Sequence, residues 1–296
     1  PAFDLLRKTT FLKLCEDALV EIASCCDGIA AIVGLPILTA DGTISAAALI
    51  QDRKVLRYIG KKYITARREM GFLVPSKGYE YATIKGHKCA IIVGDDLSRE
   101  RDFDQSVETV ISINARKYGK GTMTYRYEMM RNLAFVESKN LVLVNQVGGS
   151  TDIVYDGTSG ALNSRGELVL MMKNFEEDFR IFDTDAEAVP ITIPSTYNDR
   201  TRLVYEAARC GLRDFFRKNG YRKASIGLSG GIDSAVVASI AADALGAENV
   251  RALLMPSPFS SHESVEDAKE LARNLGIEYN VIPISEIYTS VVNTLK

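Results

Sequence analysis

The chain has 296 residues, 46% of them hydrophobic and 25% charged, with a formal net charge of −2 at neutral pH. This is the balance of a globular protein with a sizeable core, and its length leaves room for two domains. A near-neutral charge gives no basic footprint for nucleic acid and no polybasic membrane patch, and no apolar run is long enough to span a bilayer, so neither partner is expected. The five cysteines (Cys15, Cys25, Cys26, Cys89 and Cys210) show no C-x-x-C spacing, which fits free thiols. No signal-peptide pattern opens the chain, so a cytoplasmic location is expected. The chain begins with Pro1 and stops at Lys296 in a helix-like stretch, which reads as a piece of something longer.

In chain order, apolar positions recurring every three or four residues predict a helix over 11–25. Short apolar runs separated by glycine-bearing turns predict strands at 29–33, 46–51, 55–59, 89–93, 110–113, 141–144 and 168–172. A second helix is predicted at 125–138, and Gly148-Gly149 reads as a turn. The stretch 184–199, rich in Pro, Thr, Ser and Asp, reads as a linker. A different rhythm follows. Helix 202–218 precedes strand 224–228, helix 235–245, strand 250–254, helix 264–275 and strand 279–284. Alternation of this kind predicts a parallel sheet with helices on its faces, and ligands bind at the carboxyl ends of such strands.

The most informative string is 224–235, ASIGLSGGIDSA. A strand that stops at a glycine pair and restarts as a helix leaves backbone N–H groups free to meet an anion. Gly230 and Gly231 have no Cβ to hold that anion away, Ser229 and Ser234 add hydroxyl donors, and Asp233 adds a carboxylate able to hold Mg²⁺. The lysine of a Walker loop is missing. A nucleotide phosphate site is expected.

This string resembles the SGGxDS pyrophosphate loop of the N-type ATP pyrophosphatases, and with 254–277 (LMPSPFSSHESVEDAKELARNLGI) it resembles the synthetase domain of NAD⁺ synthetase. Upstream, 144–159 (VNQVGGSTDIVYDGTS), Asp4-Leu5-Leu6 and Val33-Gly34-Leu35-Pro36 are similar to the nitrilase-like glutaminase domain of the glutamine-dependent members. The resemblance implies an α/β fold: a nitrilase-like αββα sandwich over 1–183, a linker over 184–199, and over 200–296 the N-terminal part of a parallel-sheet ATP pyrophosphatase domain (adenine nucleotide alpha-hydrolase-like). It implies ATP and Mg²⁺ as cofactors, deamido-NAD⁺ and ammonia as substrates, and a homo-oligomer. Gly227, Leu228, Ser229, Gly230, Gly231, Ile232, Asp233 and Ser234 correspond to the pyrophosphate loop, with Asp233 as Mg²⁺ ligand. Leu254, Met255 and Pro256 correspond to the strand end that contacts adenosine. Ser260, Ser261 and His262 precede a helix and are expected to cap or pack.

The first domain departs from its family. Amide hydrolysis through a thioester needs a Cys nucleophile beside a Lys and a Glu base. Lys61 matches the family lysine, but the nucleophile's segment reads Val93-Gly94-Asp95-Asp96-Leu97-Ser98, with glycine where the thiol belongs. The family tyrosine six residues after the lysine is Arg67, an F-D-E-x-R segment is largely missing, and the glutamine-contacting Ser and Lys fall at Arg116 and Thr122. The Glu base belongs to a segment upstream of Pro1. Cys89 lies five residues before Gly94, on the opposite face of an extended strand, and is expected to be a core thiol. Without a nucleophile, Lys61 is expected to be structural. The favoured reading is an NAD⁺ synthetase-like ligase with a degenerate glutaminase domain, fed by ammonia. The alternatives are a non-catalytic structural subunit or nucleotide-binding pseudoenzyme, or another ATP pyrophosphatase.

Overall fold

The computed structural model describes residues 5–67, 69–184 and 189–295. Pro1, Asp4, Lys296 and positions 185–188 of the expected linker lie outside the described residues. The chain divides into two compact units, Pro1–Arg200 and Thr201–Lys296.

The first unit opens with α1 (Thr9–Cys25) and an antiparallel sheet of β1 (Ala30–Thr39), β2 (Gly42–Gln51) and β3 (Lys54–Gly60). There follow β4 (Glu80–Ile84), β5 (His87–Val93), β6 (Thr109–Asn114), α2 (Thr122–Glu137), β7 (Asn140–Asn145), β8 (Val147–Ser150), β9 (Ile153–Asp156), β10 (Gly160–Leu162) and β11 (Leu168–Met171). Six of these strands form a second sheet in the order β11-β10-β7-β6-β5-β4, in which β5, β6 and β7 run parallel.

The twofold period of a strand builds the layers. On β2, Ala47 and Leu49 point to one face, where they meet Ile91 and Val93 of β5. The alternate residues Ala48 and Ile50 point the other way, onto Leu19, Ala23 and Cys26 at α1 and its C-terminus. On β5, Ala90 and Ile92 turn from the first sheet toward Met130, Leu133 and Ala134 of α2. The unit is therefore helix, sheet, sheet, helix. Each isoleucine buried in these layers contributes roughly 1.5–3 kcal/mol over leaving it exposed.

The sequence reading missed β4 and β8 through β10. All four have only three to five residues and little periodicity to show. Gly148-Gly149 is not a turn: both residues lie inside β8, opposite Tyr155 and Val154 of β9. The hairpin turns after them, at Thr151, whose φ is 54°. Strand glycines let other backbone approach closely, so a glycine pair is an ambiguous turn signal. The described part of the expected linker runs along this unit, with the Ile191 N–H donating to the Leu168 carbonyl at 2.7 Å and the Tyr197 hydroxyl to the Met172 carbonyl at 3.2 Å.

The second unit contains α3 (Arg200–Asn219), β12 (Ala224–Gly227), α4 (Ile232–Leu245), β13 (Val250–Leu254), α5 (His262–Leu275), β14 (Glu278–Val281) and α6 (Ser285–Thr294). The three strands form a parallel sheet in chain order. Alanines make the close packing: Ala238, Ala241 and Ala242 of α4 and Ala268 and Ala272 of α5 share one core with Val250, Ala252 and Leu254. Gly276 ends α5 at φ 68°, where its N–H meets the carbonyls of Ala272 and Arg273, the left-handed cap that glycine adopts without strain. Two boundaries differ from expectation by three residues, the others by at most two. Helix α4 starts three residues early, at Ile232, because Asp233 favours the positive end of a helix. Strand β14 stops at Val281, and the chain continues by hydrogen bonds from Ile282 to Leu254 and from Ile284 to Pro256.

Candidate functional site

In the first unit, the parallel strands β5, β6 and β7 end together, and their carboxyl ends form the floor of a cavity of about 560 Å³. Gly94 follows β5, Arg116 follows β6 and Asn145 ends β7, while Ile32 and Leu35 of β1 supply an apolar wall. Lys61 enters from the end of β3. Its side chain is buried, and its ammonium donates to both oxygens of Glu69, at 2.8 and 2.7 Å, with Asp95 Oδ2 at 3.9 Å. Gly94 is against it: a Cβ on Gly94 would lie 3.3 Å from Lys61 Cε and 3.5 Å from Nζ.

Asp96 fixes that approach. Its fully buried carboxylate accepts the N–H groups of Lys62 at 2.6 Å and Tyr63 at 3.0 Å, clamping the turn that carries Lys61. Burial holds the Asp96 carboxyl above the ordinary carboxylate range, and the two backbone donors offset this only in part. Behind the floor, Asn145 donates to Asp156 Oδ1 at 2.9 Å, and Asp156 is held by both oxygens on Arg126 Nη2 at 2.9 and 3.0 Å.

Of the residues singled out in the sequence, Lys61, Gly94 and Arg116 come together here. Arg67 lies in an exposed turn, and Thr122 starts α2, where its hydroxyl bonds to Gly119. Cys89 is buried, and burial pushes its thiol up, which suits an inert core residue. Sequence reasoning missed Glu69, Asp95, Asp96 and Asn145. The available signal for Glu69 was its place eight residues after Lys61, within the stretch read as lost.

The second unit carries its own cavity, about 240 Å³, at the carboxyl ends of β12 and β13. Gly227, Leu228 and Ser229 form one side, Leu254, Met255 and Pro256 another, and Ser260 and Ser264 a third. The loop is hydrogen-bonded within itself. The Ser229 N–H donates to Ser234 Oγ at 3.2 Å, the Gly231 N–H to Ser229 Oγ at 3.3 Å, and Ser234 Oγ to the Gly231 carbonyl at 2.9 Å. Two of the loop N–H groups expected to be free therefore rest on serine hydroxyls, which a competing anion has to displace. Asp233 stands exposed in the first turn of α4. Ser261 is the N-cap of α5, accepting the Ser264 N–H at 3.1 Å, as expected of a serine before a helix. Ser260, expected only to cap or pack, lines the cavity.

Among the described residues, no group of three His, Cys, Asp or Glu could hold a metal ion, and no helix is long and apolar enough to cross a membrane.

The sequence model of the NAD synthase family matches residues 204–296. A glutamine-dependent NAD(+) synthetase of Aquifex aeolicus (strain VF5) is 33% identical over 100% of this chain and 60% of its own length. The structure of glutamine-dependent NAD+ synthetase from Acinetobacter baumannii, in complex with ADP, aligns with a TM-score of 0.86 and 31% identity, covering 100% of this chain and 58% of that one. An amidase of the nitrilase superfamily from Nesterenkonia aligns over 58% of this chain and 68% of its own with a TM-score of 0.50 at 16% identity, a likeness of fold alone. The helix–sheet–sheet–helix layering and the parallel sheet agree with a nitrilase-like plus ATP pyrophosphatase arrangement. The chain spans about 60% of the length of the curated relative just described. By sequence along its whole length and by fold, it is a relative of the glutamine-dependent NAD(+) synthetases, with the NAD synthase segment at residues 204–296.

Proposed function

We propose that the chain serves an NAD⁺ synthetase-type ligase reaction and that its 227–234 loop binds the phosphates of ATP. The observation that carries this reading is a glycine loop between a parallel strand and a helix N-terminus, facing the end of the neighbouring strand. The relative from Acinetobacter baumannii, alike over the whole of this chain, holds ADP. In the reaction, a carboxylate oxygen of deamido-NAD⁺ attacks the α-phosphorus of ATP and pyrophosphate leaves. Ammonia then attacks the acyl carbon of the adenylate and AMP departs.

The residues of the loop act by position and charge. Gly231 leaves room for the phosphates, Ser229 and Ser234 exchange their mutual hydrogen bonds for bonds to phosphate oxygens, and the α4 N-terminus favours the negative charge. Leu254, Met255 and Pro256 face the adenosine part. Asp233 is an exposed carboxylate, a hard oxygen donor suited to Mg²⁺, which binds typically through one or two carboxylates together with substrate phosphates. Bound Mg²⁺ supplies neutralisation of phosphate charge.

For the first unit, the reading is a cavity without amide hydrolysis. Gly94 carries no side chain to attack a carbonyl, so free ammonia, not glutamine, is the nitrogen source. Calorimetric titration of Mg-ATP into the wild type and Asp233→Ala tests the nucleotide site. Binding is expected in the wild type and weakened binding in the variant; equal affinities would remove the loop carboxylate from the reading.

A further inference from the structure

The two loop glycines serve different purposes. A Cβ on Gly230 would lie 2.2 Å from the Ser264 carbonyl oxygen, 2.8 Å from its carbonyl carbon and 2.9 Å from its Cα. All three are backbone atoms in the first turn of α5, so no change of rotamer relieves the overlap. On Gly231 the same atom would meet Ser229 Oγ at 3.4 Å, an ordinary contact. The steric demand for glycine therefore differs between the two positions: backbone of α5 crowds Gly230, and no such crowding meets Gly231. Gly230 is small because α5 is there.

We propose that Ser264 is a positioning residue for the nucleotide loop, acting through its backbone carbonyl on Gly230, so that the loop and the first turn of α5 hold one shape together. Three further features fit. Gly230 sits at φ +83°, a conformation that glycine adopts readily and that any side chain would strain. The Ser264 N–H is fixed by the Ser261 cap, which sets the orientation of the turn that presents the carbonyl. Ser229 and Ser264 face the same cavity, so a shift of α5 changes both of its walls. A loop shaped in advance loses less freedom when a ligand arrives. The consequence for ATP rests on the nucleotide reading; the coupling itself does not.

Hydrogen exchange on the full chain without nucleotide reads the coupling, and ATP titration reads its consequence. Gly230→Ala and Gly230→Asn are compared with Gly220→Asn, a control at φ +72° where a Cβ meets nothing within 4 Å. Asparagine tolerates positive φ better than alanine, so strain alone predicts that Asn rescues position 230, whereas overlap with Ser264 predicts that both fail. The expected result is faster exchange at 229–234 and at 262–266 together in both Gly230 variants, with ATP bound about tenfold more weakly or worse. The control should leave both segments unchanged. Should the Gly230 variants not fold, Ser261→Ala frays the same turn from the other side and should speed exchange at 229–231 as well. Wild-type behaviour of Gly230→Asn, or faster exchange confined to one of the two segments, overturns the proposal. Failure of the wild type to bind ATP overturns the nucleotide reading instead, and the exchange data still decide the coupling.

Discussion

Lys61 and Glu69 form a closed pair: one ammonium donates to both oxygens of one carboxylate, and both residues are at least nine-tenths buried. A lysine bound in this way is held in place and needs no third residue to justify its charge.

Removing one member should therefore be worse than removing both. Lys61→Met leaves Glu69 buried and unpaired, at a cost of roughly 3–5 kcal/mol, whereas Glu69→Leu leaves Lys61 only the longer contact to Asp95 at 3.9 Å and costs somewhat less. The double variant replaces the pair by apolar groups and should recover most of the loss. Urea unfolding of the four proteins measures the cycle. Additive losses would show that the pair is not the unit that matters.

Gly94→Cys should produce an acidic thiol and no glutaminase. Its Cβ would lie 3.5 Å from Lys61 Nζ, and a neighbouring cation lowers a thiol below its ordinary value of about 8.5. Iodoacetamide should label it faster than Cys89, whose thiol burial pushes up. Ammonia release from glutamine should stay at background in both wild type and variant. Gly94 sits at φ +65°, which strains any side chain, and Arg116 occupies the wall where the glutamine-contacting serine is expected. Clear turnover by the wild type would refute the inactive-cavity reading.

The two cavities were unequally legible in the sequence. The glycine loop is a continuous string, and its strand–loop–helix context lies within a dozen residues, so local rules reach it. The exception was Gly230, whose partner Ser264 is supplied by tertiary packing that no local pattern encodes. The first cavity is assembled from β1, β2, the ends of β3, β5, β6 and β7 and a turn at Glu69, seven separate stretches of chain. Lys61, Gly94 and Arg116 were reached through family spacing. Glu69 and Asp96 were not, because ion pairing and backbone clamping leave no periodic trace.

Asp104 should give a clear low-pH titration. Hydrogen bonds from the Ser106 hydroxyl and backbone N–H, with help from Lys88, lower its carboxyl from 3.8 to about 2. The folded state thus favours the ionised form. Its stabilising contribution is present above the unfolded value and is lost as pH falls through about 2. Carbon-detected NMR of the Asp104 carboxyl in wild type and Ser106→Ala is the measurement. The midpoint should rise toward 3.8 in the variant, and an unmoved midpoint would put the cause elsewhere.

Asp156 joins three elements through one carboxylate. It accepts from Arg126 of α2 and from Asn145 at the end of β7, while Arg126 also donates to the Gly157 carbonyl at 3.0 Å. Neither charged side chain reaches solvent, so Asp156→Leu strands the Arg126 charge in the interior at a cost of roughly 3–5 kcal/mol and also removes the acceptor of the Asn145 amide. The effect should also reach the cavity. Asn145 Oδ1 accepts the Arg116 N–H at 2.8 Å, so loosening Asn145 frees the backbone that presents the Arg116 side chain. Arg126→Met should destabilise similarly yet leave the Asn145–Asp156 bond available, which separates loss of the charge pair from loss of the floor. Urea unfolding gives the stability change, and hydrogen exchange at residue 116 gives the local one. Faster exchange there in Asp156→Leu, well beyond that in Arg126→Met, is the expected outcome. Equal exchange in both variants would confine Asp156 to bulk stability.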